Sequence, residues 1–182
     1  MSDRTPGIRP RPTLWRRLDV AARHGFPAGA TFASLLLAMV PLGLPGQAQL
    51  LPALALGQVV FWSVFRPVAM TAPVVFAIGL FTDLAGLAPP GVTVFTLLLA
   101  HAVALRLRRV LSRQRFATMW LAFAGFAAAA AVLDWALYSA LALRPMPAGP
   151  AVFQCGLAVA LYPALAALLT RAHRGPADPE RA

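Results

Sequence analysis

The chain has no lysine, a single cysteine and few charges of either sign. All sixteen of its basic Lys/Arg positions are Arg, and charged residues make up 12% of its 182 residues. An ordinary soluble domain carries about 25% charged residues. Half that value, with 59% hydrophobic residues in long runs, indicates that the solvent is mostly lipid. The lone Cys155 excludes an intramolecular disulfide and a Cys-based metal site; it reads as a small packing residue in a helix. No His/Cys/Asp/Glu set shows metal spacing, no Ser-His-Asp set can be argued, and neither common phosphate-binding Gly loop is present. An enzyme reading therefore has no residues to stand on, and no catalytic residue, metal or cofactor is assigned. The absence of lysine, with abundant Ala and Pro, is the usage expected from a GC-rich bacterial genome.

What is present is a series of apolar runs, at 26–44, 50–65, 68–86, 91–107, 116–143 and 151–170. A membrane-spanning helix needs about 20 apolar residues, with a range of roughly 17–25. The second run is short and contains Pro52 and Gly57, so a re-entrant segment is an alternative for it. Charge placement decides for six spans. With the N-terminus inside, the inner segments hold Arg in the tail, at 66, at 106, 108, 109, 113 and 115, and at 171, 174 and 181, whereas the outer loops hold only Arg144. A non-spanning second run would put the basic loop outside, against the positive-inside rule. The net charge of +10 thus reflects topology rather than nucleic-acid binding. The Arg cluster at 106–115 also suits anionic lipid, at about 1 kcal/mol per Arg near the surface.

The expected architecture is an all-α membrane protein, a bundle of six transmembrane helices with both termini cytoplasmic in a bacterial inner membrane. Residues 1–25 form a basic N-terminal segment, 26–171 the transmembrane domain and 172–182 a cytoplasmic tail. Pro6, Pro10 and Pro12 keep the first dozen residues extended. From Thr13, a candidate N-cap, Leu14, Trp15, Leu18, Ala21 and Ala22 share one helical face. Two readings are open for this segment: a short interfacial helix with Trp15 at the headgroups, or a solvated basic flank. Arg16-Arg17 superficially resembles a twin-arginine export signal, but no small-x-small cleavage site follows residue 44 and five further apolar runs do. The fifth run would be ~42 Å long at 1.5 Å per residue, so it tilts or projects. Its centre, GFAAAAAV at 125–132, is a small-residue surface suited to close helix packing.

Charges inside lipid are costly and call for an explanation. Asp83 lies about one turn from the outer end of the third run. Two roles are open to it. One is contact with a partner, ion or solute; the other is structural, reaching outer-leaflet water or capping the fourth helix after Pro89-Pro90-Gly91. Asp134 and His101 lie at matching depths, ~12 Å and ~15 Å from the outer ends of the fifth and fourth runs. An Asp134–His101 hydrogen bond is therefore geometrically possible and makes the two a candidate pair, either as glue between helices or as part of a proton or solute site. Arg66, at the inner end of the second run, is ~25 Å along the third from Asp83. The two are not expected to pair, and Arg66 is assigned to lipid phosphate or a partner at the inner face.

The stretch 62–91, WSVFRPVAMTAPVVFAIGLFTDLAGLAPPG, carries a resemblance. An aromatic residue precedes Arg-Pro at the end of the second span. A Pro follows, then a hydrophobic–Gly-Leu–x–x–Asp-Leu–x–x–Gly pattern and a Pro/Gly turn. The residues are Trp62, Arg66, Pro67, Pro73, Phe76, Gly79, Leu80, Asp83, Leu84, Gly86, Pro90 and Gly91. In order, spacing and place within a six-span chain this resembles the rod-shape-determining MreD family of bacterial inner-membrane proteins. The match covers about 30 residues; the remainder agrees in size, hydropathy and charge layout. One departure is visible: family members often carry an acid just after Arg-Pro, where this chain has Val68-Ala69-Met70, so any contact made by that acid does not carry over.

The resemblance implies a fold similar to the substrate-binding membrane subunits of energy-coupling-factor vitamin transporters. It also implies a non-enzymatic place in the cell-wall elongation complex that maintains rod shape. The implied partners are membrane lipids and an MreC-like bitopic protein, and through it MreB, RodA and a class B penicillin-binding protein. Trp62, Arg66, Pro67, Asp83, Gly86, Pro90 and Gly91 become candidates for partner contact or packing. The alternative is a small-molecule-binding subunit of a transporter, with Asp134, His101 and Gln154 lining a solute pocket toward the outer face. Charged termini at both ends weigh against a third reading, a spanning fragment of a larger carrier.

Overall fold

The computed structural model describes the backbone at 14–40, 47–86 and 89–174, and side chains at 25–40, 47–86 and 89–171. The first dozen residues, expected to be extended, the side chain of Trp15 and the tail beyond residue 174 lie outside the described residues. Among those described there are six helices and no strand: α1 Leu14–Ala38, α2 Gln47–Phe65, α3 Ala72–Ala85, α4 Val92–Leu111, α5 Phe116–Leu141 and α6 Gly149–Arg174. Three are long and apolar enough to cross a membrane: Gln47–Phe65, Phe116–Leu141 and 149–171.

The bundle is organised around α2, which packs against all five other helices. Its apolar window is 67% buried, against 28% for α5 and 22% for α6. A helix that is apolar all round belongs in an interior or in lipid, and α2 occupies the interior of this one. Val59, Val60 and Trp62 are fully buried on it. The Trp62 ring meets Phe26 of α1 and Phe61 edge-on, at centroid distances of 6.2 Å and 5.2 Å. Despite Pro52, the second run is one continuous helix of 19 residues.

Three boundaries differ from the apolar runs. α1 is a single helix from Leu14 through Pro27 to Ala38, joining the basic segment to the first run. Backbone hydrogen bonding continues through the Arg-bearing turns because it does not depend on side-chain polarity. Thr31 Oγ1 donates to Pro27 O at 2.8 Å. At the other end of α1, Gln47 Nε2 donates to Ala38 O at 3.2 Å and to Val40 O, closing carbonyls that the helix leaves open.

The third run yields only 14 helical residues, about 21 Å. Pro67 pushes Arg66 out of helical geometry, and residues 66–71 form a turn in which Ala69 N and Met70 N donate to Arg66 O. Thr71 then stands extended as the N-cap, with Pro in the first turn of α3, where its missing N–H costs nothing. The connection is therefore six residues long, not the Arg66-Pro67 pair alone. α4 runs past the apolar segment to Leu111, carrying Arg106, Arg108 and Arg109 on its last turns, where positive charge suits the helix dipole.

α5 and α6 pack along each other. Phe123 and Tyr162 stack at 3.9 Å with 12° between planes. Pro163 has no N–H to give Val159 O, four residues back. The indole of Trp120 takes its place, donating from Nε1 to Val159 O at 3.0 Å. The small-residue centre of α5 packs along one edge only: Ala127, Ala130 and Ala131 are buried, whereas Gly125 and Val132 are exposed.

Candidate functional site

Two buried carboxylates organise the end of the bundle where α3 and α5 finish and α2, α4 and α6 begin. The first is Asp83, fully buried in the last turn of α3. Its Oδ2 accepts from Gly91 N at 2.7 Å and, at 3.5 Å, from Val94 N; its Oδ1 accepts from Thr93 N at 3.0 Å. Val92 N turns to Pro89 O at 3.5 Å. The unpaired donors at the start of α4 are thus all engaged, three of them by one side chain from another helix. Of the two roles open to Asp83, this is the cap. Gly91 takes φ 104°, a left-handed conformation that glycine adopts freely, and so delivers its N–H to the carboxylate. Gly79, one turn before Asp83, lies against Val94: a Cβ there would fall 2.6 Å from Val94 Cα. The small side of α3 and the Asp83 cap together clamp α3 onto α4.

The remaining residues of this stretch hold the same unit or flank it. Trp62 is in the core. Arg66 and Pro67 are half-buried in the turn after α2. Gly86 ends α3, its N–H donating to Thr82 O at 2.9 Å. Pro90 is exposed beside Gly91. Arg66 and Asp83 stand at opposite ends of α3.

The second carboxylate is Asp134 on α5, 5% exposed. It does not pair with His101. Thr96 Oγ1 of α4 donates to Asp134 Oδ1 at 2.5 Å, and Gln154 Nε2 of α6 donates to Oδ2 at 3.2 Å. His101, also 5% exposed, meets Ser63 of α2, Oγ to Nδ1, at 2.7 Å. The candidate pair fails because matching depth does not fix the face. Thr96 and His101 are five residues apart, about 140° around the helix axis, so α4 turns Thr96 toward α5 and His101 toward α2. The two polar groups thus tie α4 to different neighbours.

Asp134 and Gln154 line a cavity of about 320 Å³, together with Gln49, Thr82, Thr93 and Tyr138. Gln49 Oε1 is buried and has no hydrogen-bond partner among the described residues. His101, named with Asp134 and Gln154 as a pocket residue, is not among its lining residues. Sequence reasoning missed Thr96, Ser63 and Gln49; each is a polar residue in an apolar run, which was the available signal. Among the described residues no group of three His, Cys, Asp or Glu side chains is placed to hold a metal ion. No family model, curated protein or solved structure matches the chain, so the resemblance rests on the residues of 62–91 themselves.

Proposed function

We propose that this chain is a six-span inner-membrane protein with both termini cytoplasmic, and that it is a non-enzymatic scaffold of the MreD type in the bacterial cell-wall elongation machinery. Its role is to bind the membrane helix of an MreC-like bitopic partner, and through it MreB, RodA and a class B penicillin-binding protein. The observation that carries this reading is the use of the 62–91 stretch. Within it Ser63, Gly79, Thr82 and Asp83 are buried, with Asp83 and Gly79 fixing α3 to α4. Its outward face is apolar, with Phe76 49% and Leu84 64% exposed. A face of that kind binds helices or lipid and performs no chemistry. The three long apolar helices and the one-sided placement of Arg support the membrane topology; α3, the shortest crossing, is met by local thinning of the bilayer.

Depletion of the protein in its own host, with cell shape imaged over a few generations, tests the proposal. Rod cells that widen and round, and recover with the intact gene, support it. Unchanged shape removes it. The second reading, a small-molecule-binding subunit of a transporter, is favoured by the Asp134 cavity, whose volume is at the lower end of the roughly 300–1,000 Å³ typical of ligand sites. A growth defect cured by a supplied nutrient, with normal shape, selects that reading.

A further inference from the structure

The Asp134 cavity does not stand alone. A second depression, an apolar groove of about 480 Å³ between α5 and α6, is lined by residues that include Ala128, Ala131, Val152 and Gly156. Trp135 and Ala151 line both the cavity and the groove. Trp135 is held in place by its indole N–H, which donates to Met146 O at 2.8 Å. Met146 itself lines the cavity, and its N–H donates to Ser139 Oγ. The cavity, with its few polar groups, and the apolar groove thus share a wall at Trp135 and Ala151.

The cavity has a definite electrostatic character. Its carboxylate is buried, and its hydrogen bonds come from the neutral donors Thr96 and Gln154. Among the described residues no Arg or His lines the cavity. Gln49 Oε1 adds a buried acceptor with no donor among the described residues, an arrangement that costs free energy until a donor arrives. A carboxylate and an amide side chain lining one space, beside the rings of Trp135 and Tyr138, suit a cation that carries N–H donors. Outside, Arg144 is exposed in the turn between α5 and α6, two residues before Met146. The sequence of charges from inside outward is thus negative, then positive, which complements a zwitterion whose cation points inward.

We propose that the cavity and the groove together hold one phospholipid with a primary ammonium head, its ammonium against Asp134 and Gln49 and an acyl chain along the α5–α6 groove. This site is independent of the elongation-scaffold reading. The ammonium supplies donors to Gln49 Oε1 and countercharge to Asp134. A trimethylammonium head brings the charge without the donors, and a glycerol head brings hydroxyls without the charge. The chain occupies apolar surface that is otherwise open to bulk lipid.

The test uses the full chain purified in detergent, with dioleoyl phosphatidylethanolamine, phosphatidylcholine and phosphatidylglycerol offered in turn and bound lipid counted by native mass spectrometry. One phosphatidylethanolamine per chain is expected, retained about tenfold over either of the others. Asp134→Asn abolishes the preference. Gln49→Leu does the same and carries the test if the Asp134 variant does not fold, since no hydrogen bond among the described residues depends on Gln49 Oε1. Gly156→Leu blocks the trough: a Cβ there meets nothing within 4 Å, so the new side chain enters the groove without disturbing the fold, and lipid retention falls. Equal retention of the three lipids overturns the proposal. So does free ethanolamine that displaces the lipid from the wild type and binds the Gly156→Leu variant unimpaired, which would make the site one for a soluble amine.

Discussion

Gly79 of α3 and Val94 of α4 are in backbone contact: one added carbon on Gly79 would lie 2.6 Å from Val94 Cα. Small residues let membrane helices approach this closely. Gly79→Ala is expected to push the helices apart and cost about 1–3 kcal/mol, the usual range for overpacking. Gly57→Ala is the control. Its Cβ also meets a close atom, at 2.7 Å, but that atom is the end of the Leu165 side chain, which can rotate away. Thermal unfolding midpoints in detergent should fall for Gly79→Ala and change much less for Gly57→Ala.

Replacing Asp83 separates folding from binding. Asp83→Ala leaves the N–H groups of Gly91 and Thr93 without their acceptor, at about 1–3 kcal/mol for each buried donor left unsatisfied. Asp83→Asn retains one acceptor oxygen and brings a donor toward the same N–H groups, so it falls between wild type and alanine. Membrane abundance should follow wild type > Asn > Ala. An Asn variant of normal abundance that no longer co-purifies with a partner would instead assign Asp83 to the interface.

His101 and Asp134 should be energetically independent. In a double-mutant cycle, His101→Ala and Asp134→Ala are expected to add, because Ser63 bonds one and Thr96 with Gln154 bond the other. The Thr96→Val and Asp134→Asn cycle should show coupling of about 0.6 kcal/mol, the average for hydrogen bonds between membrane helices. Coupling of that size between His101 and Asp134 would contradict the arrangement.

Trp120 and Pro163 should be linked through a carbonyl that neither of them owns. Trp120→Phe strips Val159 O of its donor and is expected to cost about 1 kcal/mol. In a Pro163→Leu background the residue at 163 regains an N–H for Val159 O, and Trp120→Phe should then be nearly silent. Unfolding midpoints of the four proteins give the answer.

Reporter fusions test the topology. A fusion after Gln114, in the turn between α4 and α5, should read cytoplasmic, and one after Arg144 should read periplasmic. A periplasmic result at Gln114 would remove one of the four preceding crossings.

Helix placement was largely readable from the sequence, because in lipid each run of apolar residues must satisfy its own backbone. α5 begins at Phe116 as its apolar run does. The errors fall where hydropathy and backbone geometry part company. α4 continues through Arg106–Arg109 because helical backbone hydrogen bonding does not depend on side-chain polarity. α3 starts late because Pro67 bends the chain in a segment that is still apolar. The capping role of Asp83 was one of two open readings, and the Pro-Pro-Gly turn that pointed to it is local. The partner of Asp134 was not legible, since it depends on which face of α4 is turned toward α5. The cavity depends on five helix ends meeting; Asp134 and Gln154 pointed to it from the sequence, whereas Gln49 did not.

The interior position of α2 has a consequence for biosynthesis. α2 is the second helix to emerge, and its neighbours α4, α5 and α6 are made after it. Until they arrive, Gln58 and Ser63, both buried in the finished bundle, face whatever surrounds the growing chain. Gln58 finds Ser34 of α1 early, through a side-chain hydrogen bond at 2.5 Å. Ser63 waits for His101, and Gly57 waits for Tyr162 and Leu165 of the last helix. The order of synthesis therefore runs against the order of burial: the most interior segment is the one that must be sheltered longest. A chain halted before α6 would leave that segment uncovered along the face that Tyr162 and Leu165 close.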